Sequence, residues 1–148
     1  MQVDIFIKSN GTAYLGVVWP GNIYFLDFMN PAAAVFWRHE IAIFRQVVQF
    51  DGLWIDMNEI SNFISSPPLP NSAVESPPYK INNNGKVQDI NARTIPASTL
   101  HFGNLTEYNV HNLYSLPESK ATNAALINNV TGKRPFVLSR STFLGSGK

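Results

Sequence analysis

The chain has 148 residues, 45% of them hydrophobic, which is enough for one domain core of ordinary size and argues against disorder throughout. A formal net charge of +1, from 11 basic and 10 acidic residues with no basic run, makes nucleic acid a poor partner, and no apolar stretch approaches the length of a bilayer span. The absence of cysteine excludes disulfides and thiolate chemistry, and His39, His101 and His111 are scattered without ligand spacing, so no metal site is expected.

Met1-Gln2-Val3-Asp4 carries no basic region followed by an apolar run, so no secretory signal is read there and the chain reads as a fragment. Three Asn-x-Ser/Thr sequons, at Asn10, Asn104 and Asn129, suit a glycosylated secretory protein, although 16 Asn and 19 Ser plus Thr give about 2 by chance. Ile5-Phe6-Ile7 and Tyr14 to Trp19 are rich in β-branched and aromatic residues and flank the turn signal Ser9-Asn10-Gly11, which predicts a hairpin between them. Trp19-Pro20-Gly21 then closes the second run in a tight bend.

Asn30-Pro31 predicts a helix start, with an Asn cap and a proline at the first position, where its missing N–H is not needed. Trp37, Ile41, Phe44 and Val48 lie on one helical face, with Arg38, Arg45 and Gln49 elsewhere. The helix runs into Asp51-Gly52-Leu53-Trp54-Ile55-Asp56, an apolar run too short for a helix that breaks at a carboxylate. On a strand, Gly52, Trp54 and Asp56 share one face and Leu53 and Ile55 the other. Helix followed by strand fits a βα repeat, and Asp56 at the strand's carboxyl end is either a polar terminus or cap or a catalytic group.

Residues 57 to about 105 hold six of the ten prolines, including Pro67-Pro68 and Pro77-Pro78, and predict a long loop without regular structure. Phe63, Leu69, Val74, Tyr79 and Ile81 are expected to pack it down. A second helix is predicted from Thr106 or Glu107 to about Asn129, with a kink or division caused by Pro117 and with Tyr108, Leu113, Ala121, Ala125 and Leu126 available for burial. Asn128-Asn129 and Gly132 mark its end. Phe136 to Leu138 predict another strand, which delivers Arg140 to the same carboxyl edge as Asp56, either as a surface ion-pair partner or as a functional group. Thr142 to Lys148 form a Gly-rich turn.

The run Trp54-Ile55-Asp56-Met57-Asn58-Glu59 closely resembles the signature of glycoside hydrolase family 31, the α-glucosidase and α-xylosidase family. Val18-Trp19-Pro20-Gly21 with Asp27-Phe28, Val110-His111-Asn112-Leu113-Tyr114 and Ser139-Arg140-Ser141 resemble it too, so the likeness runs from Asp4 to Lys148. Leu26 departs from the proline that relatives often carry. The resemblance implies an α/β fold, a partial (β/α)8 TIM barrel with central strands and helices only and with the 57–105 loop on the pocket side. A full barrel takes about 250 residues, so residues 1–148 would be an incomplete segment with open sheet edges, poorly folded or aggregation-prone alone.

By the same resemblance Asp56 is the nucleophile, Glu59 a positioning or substrate-contact residue, and Trp19, Met57 and Arg140 bind substrate. From the residues alone, Trp19 is either a sugar-stacking ring or a buried anchor. The implied activity is hydrolysis of terminal α-linked xylose or glucose by retention, which takes two carboxyl groups about 5 Å apart. The family's acid/base Asp belongs to a His-Trp-Thr-Gly-Asp motif that this sequence lacks, and the upstream sugar-binding Asp is absent as well. The alternative is a catalytically silent product that at most binds sugar; transglycosylation would use the same residues. A small carbohydrate is the implied partner, with no nucleic acid or membrane, no cofactor and no metal. Full-length relatives imply an extracellular, cell-wall or vacuolar location. The segments Phe63 to Asn71 and Tyr79 to Asn83 lean toward the plant α-xylosidase branch.

Overall fold

The computed structural model describes residues 4–79, 82–83, 86–128 and 132–147. In chain order its elements are β1 (Lys8–Ser9), β2 (Thr12–Ala13), β3 (Leu15–Val18), β4 (Gly21–Tyr24), α1 (Pro31–Val47), β5 (Gly52–Ile55), β6 (Asn82–Asn83), β7 (Lys86–Val87), β8 (Leu100–His101), β9 (Leu105–Thr106), α2 (Glu107–Val110), α3 (Ser115–Leu126) and β10 (Phe136–Ser139). They form two compact units, one of Met1–Ile5, Leu26–Glu59 and Asn112–Lys148, the other of Phe6–Phe25 and Ile60–His111.

In the first unit α1 starts as its sequence predicts: the Ala32 N–H donates to Asn30 Oδ1 at 3.0 Å, and Pro31 occupies the first turn. Asn30 Nδ2 also donates to the Asp4 carbonyl at 2.9 Å, which fixes the entry of the chain. The buried face of α1 is Ala33, Trp37 and Ile41, at i, i+4 spacing. Phe44 and Val48, expected on that face, are exposed. Val48 lies past the helix, where the backbone turns extended with φ −124° and ψ 119°, whereas Phe44 is exposed within α1. Ile41, Ala125 and Leu126 form the core, and Trp37, Phe50, Leu53 and Val137 pack on it. Trp37 Nε1 donates to Thr122 Oγ1 at 2.9 Å, so the indole buries its ring without orphaning its N–H.

Strands β5 and β10 pair in parallel, with Phe136 opposite Gly52 and Ser139 opposite Ile55. A Cβ on Gly52 would lie 2.6 Å from the Phe136 carbonyl oxygen, so the close approach of the two strands requires glycine there. The stretch 106–129, expected as a kinked helix or two shorter ones, is divided into α2, a 3-10 turn at His111–Leu113, and α3. The break precedes Pro117, which sits third in α3, where its missing N–H has no intrahelical partner to lose. Ala125 and Leu126 are buried as expected, whereas Tyr108 and Leu113 are exposed. The Gly132 N–H, at φ 60°, caps the far end by donating to the Ile127 carbonyl; Asn129 lies outside the described residues.

In the second unit Asn10-Gly11 makes the expected turn, but between β1 and β2 rather than between the two longer runs. Residues 15–18 pair instead with β4 through the two-residue Trp19-Pro20 loop, because Gly21 at φ 101° reverses the chain at once. Residue 14 still reaches the first run, its N–H donating to the Ile7 carbonyl at 2.8 Å. Strands in the order β2-β1-β8-β9 form an antiparallel sheet.

The long proline-rich segment contains the short β6–β7 hairpin and a bridge between Ser61 and Thr94. Of its expected apolar anchors, Val74 is half-buried and none among the described residues is fully buried. Leu69 and Tyr79 are exposed, Tyr79 at 90%, Phe63 is only partly covered, and Ile81 lies outside the described residues. Buried instead are Ile60, Ile95 and Ala97 with the polar Asn62, Glu75 and Asn91. Irregular backbone leaves N–H groups that no ladder satisfies, so buried side-chain oxygens take them. Glu75 Oε2 accepts from the Leu69 N–H at 2.6 Å and from Asn91 Nδ2 at 3.2 Å, and the Ser98 hydroxyl donates to Oε1. Burial alone would raise the Glu75 carboxyl, but these bonds outweigh it and hold the group below the usual carboxylate range. Asn62 does similar work, accepting from the Val17 N–H at 2.9 Å and donating to the Tyr14 hydroxyl at 3.2 Å.

Candidate active site

Asp56 and Arg140 each follow the last residue of a strand, and Ile55 and Ser139 are register partners, so parallel pairing delivers both side chains to one edge. Arg140 Nε lies 3.7 Å from Asp56 Oδ1. That separation is an ion pair and not a hydrogen bond, so the Asp56 oxygens keep their lone pairs for chemistry. Asp56 is 32% exposed at its side chain and is therefore reachable from solvent.

Glu59 takes the hydrogen bonds of the guanidinium, including that of the same Nε that faces Asp56. Arg140 Nε donates to Glu59 Oε2 at 3.2 Å and Nη2 donates to Oε1, a bidentate fork. This hydrogen bonding to Glu59, reinforced by the charges of Glu59 and Asp56, raises the Arg140 pKa above its ordinary value. The turn carrying Glu59 is tight: Met57 and Ile60 have φ values of 59° and 58°, a left-handed geometry costly for side chains of their size. Met57, named from the sequence as a substrate contact, is half-buried.

Asn58, which the sequence reading passed over, is the brace of this arrangement. It is buried, donates from Nδ2 to the Ser141 carbonyl at 2.9 Å, and accepts at Oδ1 from the Ser141 N–H at 2.7 Å. The reciprocal pair ties the turn after β5 to the turn after β10. A carboxamide between two other motif residues was the only sequence signal for it. On α3, burial and then the neighbouring Glu59 carboxylate push the Glu118 carboxyl up to about 8, so it is largely protonated at neutral pH.

Trp19 belongs to the second unit. It is 81% exposed and meets Phe63 edge to face, with ring centroids 4.9 Å apart, which rules out its reading as a buried anchor. In the same unit Glu107, buried, bridges two histidines that looked scattered in the sequence: Oε2 lies 2.8 Å from His101 Nε2, and Oε1 contacts His111 Nδ1. Among the described residues no His, Asp and Glu group is arranged to hold a metal ion, and no helix is long and apolar enough to cross a membrane.

The whole chain, residues 1–148, matches the family model for the glycosyl hydrolases family 31 TIM-barrel domain. It is 59% identical over 148 residues to a probable alpha-glucosidase of Oryza sativa subsp. japonica, covering 100% of this chain and 16% of that protein. It is 41% identical over 172 residues to alpha-xylosidase 1 of Arabidopsis thaliana, covering 100% of this chain and 19% of that protein. Among solved structures, the glucosidase II alpha subunit in its Glc1Man2-bound form superimposes with a TM-score of 0.70 at 30% identity, over 97% of this chain and 13% of that one. The chain thus spans a small part of the length of the relatives it matches. It belongs, along its whole length, to glycosyl hydrolase family 31, within the TIM-barrel domain of that family.

Proposed function

We propose that residues 1–148 form an incomplete segment of an α-glycosidase barrel, with β5 and β10 as neighbouring central strands, and that this segment carries the nucleophile of a retaining hydrolysis of terminal α-linked sugars. The observation that carries the reading is the Asp56 carboxylate at the end of β5, solvent-accessible and 3.7 Å from an arginine whose hydrogen bonds are held by Glu59. Asp56 attacks the anomeric carbon, the glycosidic oxygen leaves, and a covalent glycosyl ester forms that water later hydrolyses. Arg140 stabilises the carboxylate that attacks and later leaves. Glu59, occupied by the Arg140 fork, positions that guanidinium and is not free to protonate the leaving oxygen. That proton comes from a carboxyl outside these residues.

Trp19 offers an open aromatic face to the apolar side of a sugar ring. Glucose is the favoured sugar, since identity to the rice alpha-glucosidase exceeds that to the alpha-xylosidase, against the lean suggested by the segments around Phe63 and Tyr79. An extracellular, cell-wall or vacuolar location is part of the same proposal and rests on the family resemblance.

A fluorosugar carrying a fluoride leaving group, 5-fluoro-α-glucosyl fluoride, reads this directly, because fluoride departs with little help from an acid and the fluorinated ester turns over slowly. Peptide mapping after incubation is expected to find one sugar on Asp56, and none in Asp56→Asn. A chain that is folded by circular dichroism and remains unlabelled, or is labelled elsewhere, overturns the assignment.

A further inference from the structure

Strands β8 and β9 are joined by the three-residue turn Phe102-Gly103-Asn104, with His101 opposite Leu105 and Leu100 opposite Thr106. The turn is held from within, since His101 is buried against Glu107. Its outer side is open: Asn104 is exposed, and Phe102 is 56% exposed although aromatic. Gly103 and Asn104 are both left-handed, with φ values of 75° and 59°. Glycine and asparagine are the residues that accept this geometry, so the tip is stable with the Asn104 carboxamide outside the core. Asn104-Leu105-Thr106 is one of the three sequons.

Composition alone yields about 2 sequons by chance, so it is placement that separates them. Asn62 and Asn91, which are not in sequons, are buried and spend their carboxamides on hydrogen bonds. Asn10 is also exposed at a turn tip, at φ 51°, but its turn is Asn10-Gly11 and has no aromatic residue. Asn129 lies outside the described residues. At Asn104, sequon, exposed turn and exposed aromatic ring coincide within five residues.

We propose that Asn104 is an N-glycan acceptor and that Phe102 packs against the apolar face of the first N-acetylglucosamine. The donor is a lipid pyrophosphate-linked oligosaccharide, used by an oligosaccharyl transferase. The Asn104 amide nitrogen forms a bond to the sugar's anomeric carbon and loses one proton to a base of the transferase; the bond from that carbon to the pyrophosphate oxygen breaks, and the lipid pyrophosphate leaves with the electron pair. A glycan there displaces no core contact, and it covers an aromatic surface that the hairpin leaves to water. The inference is independent of the glycosidase reading.

The test expresses the full 148-residue chain behind a cleavable secretory leader in eukaryotic cells, then removes N-glycans with peptide N-glycosidase in heavy-oxygen water and maps the peptides. The expected result is heavy aspartate at position 104, lost in Thr106→Val while Asn10 is unaffected. Translation with endoplasmic reticulum microsomes reads attachment as a gel shift even if a variant folds poorly. An unmodified Asn104 in the translocated chain overturns the acceptor site. In Phe102→Ala the glycan is expected to remain while the difference in Tm between glycosylated and deglycosylated chain shrinks; an unchanged difference overturns the role given to Phe102.

Discussion

Arg140 holds two carboxylates at different distances, and this asymmetry separates their roles. Glu59 receives the fork of hydrogen bonds and is fixed; Asp56 receives charge at 3.7 Å and stays available. A lysine in place of Arg140 would supply charge without the fork and would leave the turn after Asp56 unbraced on that side. Glu118 adds a measurable signature. The folded chain keeps the Glu118 proton until about pH 8, whereas an unfolded chain loses it near the ordinary value of 4.5. Stability from this group is therefore full below 4.5 and declines as pH rises from 4.5 to 8. In Glu118→Gln that decline should disappear, with a gain of about 2 kcal/mol at the upper end of the window after allowing for solvent screening. Urea midpoints across the window check this, and parallel pH profiles for the two chains would refute it.

Two short strands and the turns after them make the site, and each strand is specified by what it must touch. Leu53 and Val137 pack on the core, while Trp54 and Phe136 face outward at 65% and 69% exposure. Gly52→Ala places a methyl carbon 2.6 Å from the Phe136 carbonyl oxygen, so that one strand must shift against the other. We expect a loss of about 1–3 kcal/mol and a matching loss of fluorosugar labelling at Asp56, measured by denaturation and peptide mapping. Undiminished labelling would mean that the register tolerates the methyl. These elements were legible in the sequence because an Asn-Pro cap, a helical stripe and a short apolar run each declare a period and an end. The stripe is shorter than its spacing suggests, since spacing marks a face but does not show how far along it neighbours reach to cover it, and Phe44 and Val48 are exposed. The segment after Glu59 was legible only as irregular: buried Glu75, Asn62 and Asn91 follow no period and satisfy backbone groups that only the folded path defines. Asn58 was hidden for a related reason, because its partner Ser141 lies 83 residues away.

At the scale of the molecule, β5 and β10 form a two-stranded parallel sheet whose outer edges have no partner among the described residues. Two strands are too few for independent stability, and unpaired N–H and C=O groups beside exposed Trp54, Phe136 and Leu138 are a template for further pairing. The 148-residue chain alone is expected to associate as its concentration rises, and Leu138→Lys to suppress this. Sedimentation velocity over a concentration series distinguishes the cases, and a chain that remains monomeric throughout would show that these edges are protected.

The bracing of Arg140 against Glu59 spans 81 residues of chain. During synthesis at 5–20 residues per second, Glu59 therefore waits about 4–16 s for its guanidinium to be made. Loop closure over that span is a slow, non-local step. Until then the nascent polypeptide carries Asp56 and Glu59 without the Arg140 charge, so the pairing at the functional centre forms after the hairpins and α1 have already become local structure.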